Sequence, residues 1–205
     1  PETNNLLQIR PAIGGNIMAT IITPDSRPQM ATVRPRSIII LKPDKGRSGQ
    51  VIEIEPPPES LKSRMVLESF EVESQNLAPL EEAEVVVSGG RGVQESVNFV
   101  LLEQFANVLG GVFASSRPPV DLNWQPYARQ VGLSGKTISP DLYIACGISG
   151  TVQHLAGIQT AKNIVAINSD PKAPIFQIAD FGIVGDMFDV LPVLIKRIEN
   201  NCSEN

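Results

Sequence analysis

The sequence predicts an α/β protein built on a doubly wound, mostly parallel sheet, with a β-rich segment ahead of it. Three observations lead there. From residue 84 onward, apolar runs that end in glycine or small polar residues alternate with stretches of helical periodicity. Those runs are apolar throughout, as strands covered on both faces must be. Before residue 75 the runs are short, rich in β-branched residues and punctuated by Pro, Asp and Gly, with little helical period.

Taken in order, "NIMATIITP", "MATVRPRSIII", "QVIEIEP" and "MVLESFEVES" read as short strands within residues 1–75, and residues 76–83 read as a linker. The opening "PETNNLLQIRPAIGGN" reads as the interior of a longer chain, so residues 1–75 are expected to be part of an incomplete α/β domain. Residues 84–205 form the second domain. "EVVVSGGRG" is its first strand. Ser96 is placed to cap a helix whose apolar residues Val97, Val100, Leu101, Phe105, Val108 and Leu109 follow helical spacing. "GGVFASSRPP", "DLYIACGISG" and "KNIVAINSD" supply three further strands, and "FQIADFGIVGD" a short fifth strand or extended turn. Pro192 would interrupt a helix, so it is expected to open the last one at its first turn.

Composition narrows the partners. The 205 residues carry a net charge of −5 with no cluster of Lys and Arg, which argues against nucleic acid. No apolar run is long enough to span a bilayer. Two cysteines, Cys146 in a strand and Cys202 in the tail, make neither a disulfide framework nor a metal site, and point to a reducing compartment.

In a parallel sheet, ligands bind beyond the carboxyl ends of the strands. There the sequence places Ser88 to Gly92, then Ser115 to Arg117, then Gly147 to His154, then Asn168 to Asp170, and finally Asp180 and Asp186. Glycine for close backbone approach, hydroxyls, amides and arginine recur at successive strand ends, which suits a large, partly anionic ligand such as a dinucleotide. Each piece has a plainer reading as well. The glycines could be turn residues, Arg117 could cap a helix, and Asp186 could be the N-cap of the final helix. His154, the single histidine, could be a core residue with a hydrogen-bond partner. No nucleophile–base pair, metal-ligand spacing or paired carboxylates appear, so no catalytic residue is assigned.

In order and spacing, "RPAIGGNIMATI", "RPQMATVRP", "VVVSGGRG", "ASSRPPVD", "QVGLSGKTISPDLYIACGISGTVQHLAGI", "IVAINSDPKAPIFQIADFGIVGD" and "LPVLIK" resemble the alpha subunit of electron transfer flavoproteins over nearly the whole chain. The resemblance implies a C-terminal FAD-binding domain of the deoxyhypusine-synthase-like fold. It implies FAD as cofactor, completed by a beta subunit. The implied traffic runs from flavin dehydrogenases such as acyl-CoA dehydrogenases to a quinone-linked oxidoreductase, in the bacterial cytoplasm or mitochondrial matrix. A bifurcating relative using NADH, or an NAD-binding enzyme of the same fold, is the alternative. By position, Arg91 and Ser116 match FAD contacts, and Arg117 the arginine over the isoalloxazine. Val131, Gly132, Leu133 and Ser134 match the loop at the flavin N5 edge. Ser149, Gly150, Thr151, Val152, Gln153 and His154 match the loop at the pyrimidine edge. Asn168, Asp186 and Met187 match contacts to the adenosine half. The family usually has Gln-Thr where this chain has Leu133-Ser134, a departure at the N5 edge that removes an amide and the stiffening β-branch.

Overall fold

The structure is a computed structural model and describes residues 4–11, 18–33, 42–69 and 79–203. Its residues group into two compact units, one of residues 39–77 and one of the remainder.

Five parallel strands form the sheet of the larger unit: β3 (Val85–Gly89), β4 (Val112–Ser115), β5 (Leu142–Cys146), β6 (Ile164–Asn168) and β7 (Phe181–Val184). Their order is β4-β3-β5-β6-β7. After β3 the chain goes to one side to form β4, then crosses back to form β5 on the other side. The seam between β3 and β5 is therefore the switch point of a doubly wound sheet, where loops diverge and leave a crevice. Alternate residues along each strand serve two cores. Val86, Tyr143, Ala145 and Ala166 face one that is filled by Val131, Ile138, Ile148, Ile158 and Ile175 from the loops. Val87, Ile144, Cys146 and Ile167 face the other.

That second core is closed by α1 (Phe99–Val108) and α4 (Met187–Ser203). The α1 face differs from the expected one. Phe99, Leu102, Phe105 and Ala106 are buried, whereas Val97 and Val100 are exposed. Residues 96–98 form a 3-10 turn, and Ser96 caps nothing; its hydroxyl donates to the Trp124 carbonyl. The tighter turn shifts the phase of everything before Phe99. Pro192 is also not an opener. It lies inside α4, where the missing N–H costs one bond to the Phe188 carbonyl and Leu191 and Leu194 keep the helix packed. Asp186 caps α4, its carboxylate accepting from the Phe188 N–H at 2.9 Å.

Of the expected early strands, "NIMATIITP" contributes β2 (Met18–Ile21), antiparallel to β1 (Gln8–Pro11) with Gln8 opposite Ile21. The other three do not form strands where they are described. "QVIEIEP" and the described parts of "MATVRPRSIII" and "MVLESFEVES" have no regular secondary structure, and Val51 is 89% exposed. Residues 34–41 and 70–78 lie outside the described residues. β-branched composition favours a strand only where a neighbour pairs with it. The smaller unit has a turn at Asp44–Arg47 and a 3-10 turn at Pro58–Leu61.

Candidate functional site

A cavity of about 710 Å³ lies beyond the carboxyl ends of β4, β3 and β5. Three loops build it, and sequence explains why they can meet. Gly90 and Gly92, after β3, press against Gly147, after β5. Their amides donate to the Cys146 and Gly147 carbonyls at 2.9 and 3.1 Å. A Cβ on Gly90 would stand 2.2 Å from the Gly147 oxygen, and Gly147 itself has φ +61°. Only glycine allows that backbone contact.

Around this seam the cavity gathers Arg91 from the first loop and Ser116 and Arg117 from the second. Arg117 opens the five-residue helix α2 (Arg117–Asp121). Val131, Gly132, Leu133 and Ser134 form one wall. Ser149, Thr151, Gln153 and His154 form another, the last two on the short α3 (Val152–Leu155). A smaller depression of about 130 Å³ holds Asn168, Asp186 and Met187, and Gly147 lines both spaces. Two candidate residues stand apart from both linings. Val152 is exposed on α3, and Gly150 (φ +84°) is turned against the Ile175 backbone.

Several participants escaped sequence reasoning. Asp121 lines the cavity and pairs with Arg117, its Oδ2 3.1 Å from Nε. Both side chains are more than half exposed, so the pair orients Arg117 more than it stabilises the fold. Gln130 is buried and donates from its amide to the Ser134 hydroxyl at 3.1 Å. The exposed Leu133 has no amide to offer there, and Gln130 supplies one from beneath. Tyr127 adds a hydrogen bond to the Ser134 carbonyl at 2.9 Å. Lys136, at the end of this loop, pairs with Glu81 at 3.1 Å.

His154 is buried yet lines the cavity. Its Nε2 lies 2.8 Å from the Tyr143 hydroxyl, and its Nδ1 has no partner among the described residues. Burial lowers its pKa to about 4, so the ring is neutral at pH 7. In the unfolded chain the ring titrates near 6.5. Because the folded value is the lower one, this group's contribution is complete above pH 6.5 and is lost as pH falls toward 4. The loss amounts to about 1.4 kcal/mol per pH unit. Urea midpoints at pH 7 and pH 5 are expected to differ more for the wild type than for His154→Gln, and equal differences would overturn this.

A doubly wound sheet whose switch-point cavity carries two arginines and a glycine seam is a binding domain for an anionic, nucleotide-type molecule. The chain belongs to the electron transfer flavoproteins. Residues 79–159 match the electron transfer flavoprotein FAD-binding domain, and residues 2–59 the electron transfer flavoprotein domain. It is 50% identical over 198 residues to the electron transfer flavoprotein subunit alpha of Thermoanaerobacterium thermosaccharolyticum, covering 97% of this chain and 60% of the relative. It is 42% identical over 205 residues to the lactate dehydrogenase (NAD(+),ferredoxin) subunit LctC of Acetobacterium woodii, covering 97% and 47%. With the acryloyl-CoA reductase electron transfer subunit beta of Anaerotignum propionicum it shares 40% over 205 residues, covering 97% and 55%. The chain thus spans about half to three-fifths of the length of these relatives.

The residues present fit FAD, the cofactor of this family domain. The glycine seam leaves open backbone where side chains would intrude, and the guanidinium groups of Arg91 and Arg117 bring positive charge to the cavity for an anionic cofactor. Among the described residues, no helix is long and apolar enough to cross a membrane.

Proposed function

We propose that this chain is the flavin-holding part of an electron transfer flavoprotein alpha subunit, passing electrons from flavin dehydrogenases such as acyl-CoA dehydrogenases to a quinone-linked oxidoreductase. The observation that carries this reading is one cavity combining exposed Arg91 and Arg117 with a buried, neutral His154. FAD supplies the redox chemistry when bound. The chain supplies grip, orientation and electrostatics. Arg91 and Ser116 offer charge and a hydroxyl to phosphate oxygens. Asn168 and Asp186, with Met187 beside them, line the space for the adenosine half. Arg117 favours the more negative, reduced cofactor over the oxidised one. Ser134, its hydroxyl fixed by Gln130, presents a polar contact to the ring edge. Val131 and Ile148 close the wall against water.

A beta subunit is the proposed partner, covering the flavin from the open side. The name of one relative, a lactate dehydrogenase subunit that pairs NAD(+) with ferredoxin, favours a second reading, in which the chain belongs to a bifurcating complex that uses NADH and a second flavin in the partner. The full-length protein is expected to co-purify with a second subunit as a yellow heterodimer. Light scattering with flavin counting checks this: one flavin per complex fits the simple carrier, and a second flavin with NADH-dependent reduction fits the bifurcating type. A colourless or nicotinamide-bearing complex would overturn both.

A further inference from the structure

Between the glycine seam and α1 the backbone takes a conformation that side-chain-bearing residues rarely adopt. Gln94 has φ +70° and ψ −47°. Across it the Glu95 amide donates to the Val93 carbonyl at 2.8 Å. Those angles and that bond make a three-residue γ-turn of the rare, strained kind. Its surroundings hold it closed. Val93 is fully buried, its Cγ2 standing 2.9 Å from where a Cβ on Gly89 would lie. The Val93 carbonyl accepts a second hydrogen bond, from Asn98 Nδ2 at 2.9 Å, and the Gln94 amide donates to the Arg91 carbonyl at 3.0 Å. Glycine would take this φ without strain, and the same stretch uses glycine at Gly89, Gly90 and Gly92. At the position that most favours glycine stands a glutamine instead. It is exposed and lines the smaller depression beside Asn168 and Asp186.

We propose that Gln94 is a specificity-determining residue of that depression, its side-chain amide pairing with the edge of an adenine base, and that Asn98 is the positioning residue that holds its turn. This rests on the reading of the two spaces as one site for a dinucleotide cofactor. Gln94 is not among the positions that the family resemblance marks. Hydrogen-bonding capacity decides between the residues that line the depression. Asn168 is engaged within the fold: its Nδ2 donates to the Ile148 carbonyl at 2.9 Å, and its Oδ1 accepts from the Asp170 amide at 3.0 Å. One oxygen of Asp186 accepts from the Phe188 amide. The other is an acceptor only, suited to the hydroxyls of a ribose. The remaining lining residues are glycine or apolar, apart from Ser169 and Gln94. Of those two, only Gln94 offers a donor and an acceptor side by side. That is the pattern complementary to the adjacent amino group and ring nitrogen of adenine, and guanine presents two acceptors there. Strain that the surrounding structure over-determines is a mark of a contact set in place before its ligand arrives.

Calorimetric titration of the flavin-free full-length complex with ADP and with GDP tests this, because both probes carry the same ribose and phosphates. The wild type is expected to bind ADP about tenfold more tightly than GDP, the size of one well-made amide–base pair. Gln94→Ala keeps the strained turn and loses the amide, whereas Gln94→Gly loses both. In each variant the ratio is expected to fall toward one. Only Gln94→Gly is expected to raise the urea midpoint above that of the wild type, since glycine accepts the turn. Asn98→Ala is expected to lower the ratio in the wild-type background and to have no further effect on it in Gln94→Ala. A wild type that binds ADP no better than GDP overturns the proposal, and so does a ratio that both Gln94 variants leave unchanged. A loss that is equal for the two nucleotides leaves the ratio unchanged and counts against it. Titration of the same samples with FAD separates the two readings: the expected ADP results in a complex that takes up no FAD refute the flavin site and leave the Gln94 role standing.

Discussion

Gly90→Ala is expected to strip the protein of flavin and to lower its stability by about 3 kcal/mol, the upper part of the usual range for forcing atoms into a packed interior. The added Cβ would meet the Gly147 oxygen at 2.2 Å and the Ile148 Cα at 2.8 Å. Both are backbone, with no rotamer to yield. The loops after β3 and β5 must separate, which breaks the Gly90 and Gly92 amide bonds across the seam. It also displaces the segment that carries Ser149 to His154. Gly49→Ala is the control, since nothing lies within 4 Å of its Cβ. Urea denaturation and flavin absorbance after gel filtration read both effects. Normal flavin content with an unchanged midpoint would mean that the seam opens freely.

Arg117→Ala is expected to lower the flavin midpoint potential, and by more than simple loss of a cation would require. Arg117 shares the cavity with Asp121, whose carboxylate it holds at 3.1 Å. Removing the arginine leaves that carboxylate unpaired beside a cofactor that becomes more negative on reduction. Charge-assisted contacts contribute about 1.5–3 kcal/mol, and solvent screening at this exposed pair brings the expected effect to about 1 kcal/mol. The double variant Arg117→Ala/Asp121→Asn should recover part of the shift, so the two changes are non-additive. Redox titration of the three proteins measures this. Equal potentials in wild type and Arg117→Ala would make Arg117 a loop residue.

The sheet was legible because parallel strands buried on both faces must be apolar, and β3, β5 and β6 are. The cavity's loops were legible because strand ends are where glycine, hydroxyl and arginine have no structural reason to coincide. Local periodicity failed where local geometry changed. The 3-10 turn at Ser96 moved the α1 face, and Pro192 was absorbed by a helix whose packing outweighs one lost bond. Early β-branched runs carried propensity without a described partner strand. Gln130 and Tyr143 were illegible for another reason. Each acts through a single contact made in three dimensions, Gln130 on Ser134 and Tyr143 on His154, and nothing in composition marks a buried tyrosine as different from any other core aromatic. Arg129 was missed likewise. It reads as a surface charge, yet it is buried over the Phe113 ring at 4.2 Å and donates to the Phe113 carbonyl.

Gly147 borders both the large cavity and the small depression. A molecule extending through both spaces crosses the line along which the two halves of the sheet were joined, touching β4 and β3 on one side and β6 and β7 on the other. In thermodynamic terms it is a removable crosslink. Its binding free energy is added in full to the work of pulling those halves apart, growing with ligand concentration as mass action requires. Loss of colour and loss of fold are then a single transition. Heating the protein in excess cofactor should raise both together, and a stage that is colourless yet folded should be populated only when the cofactor is scarce.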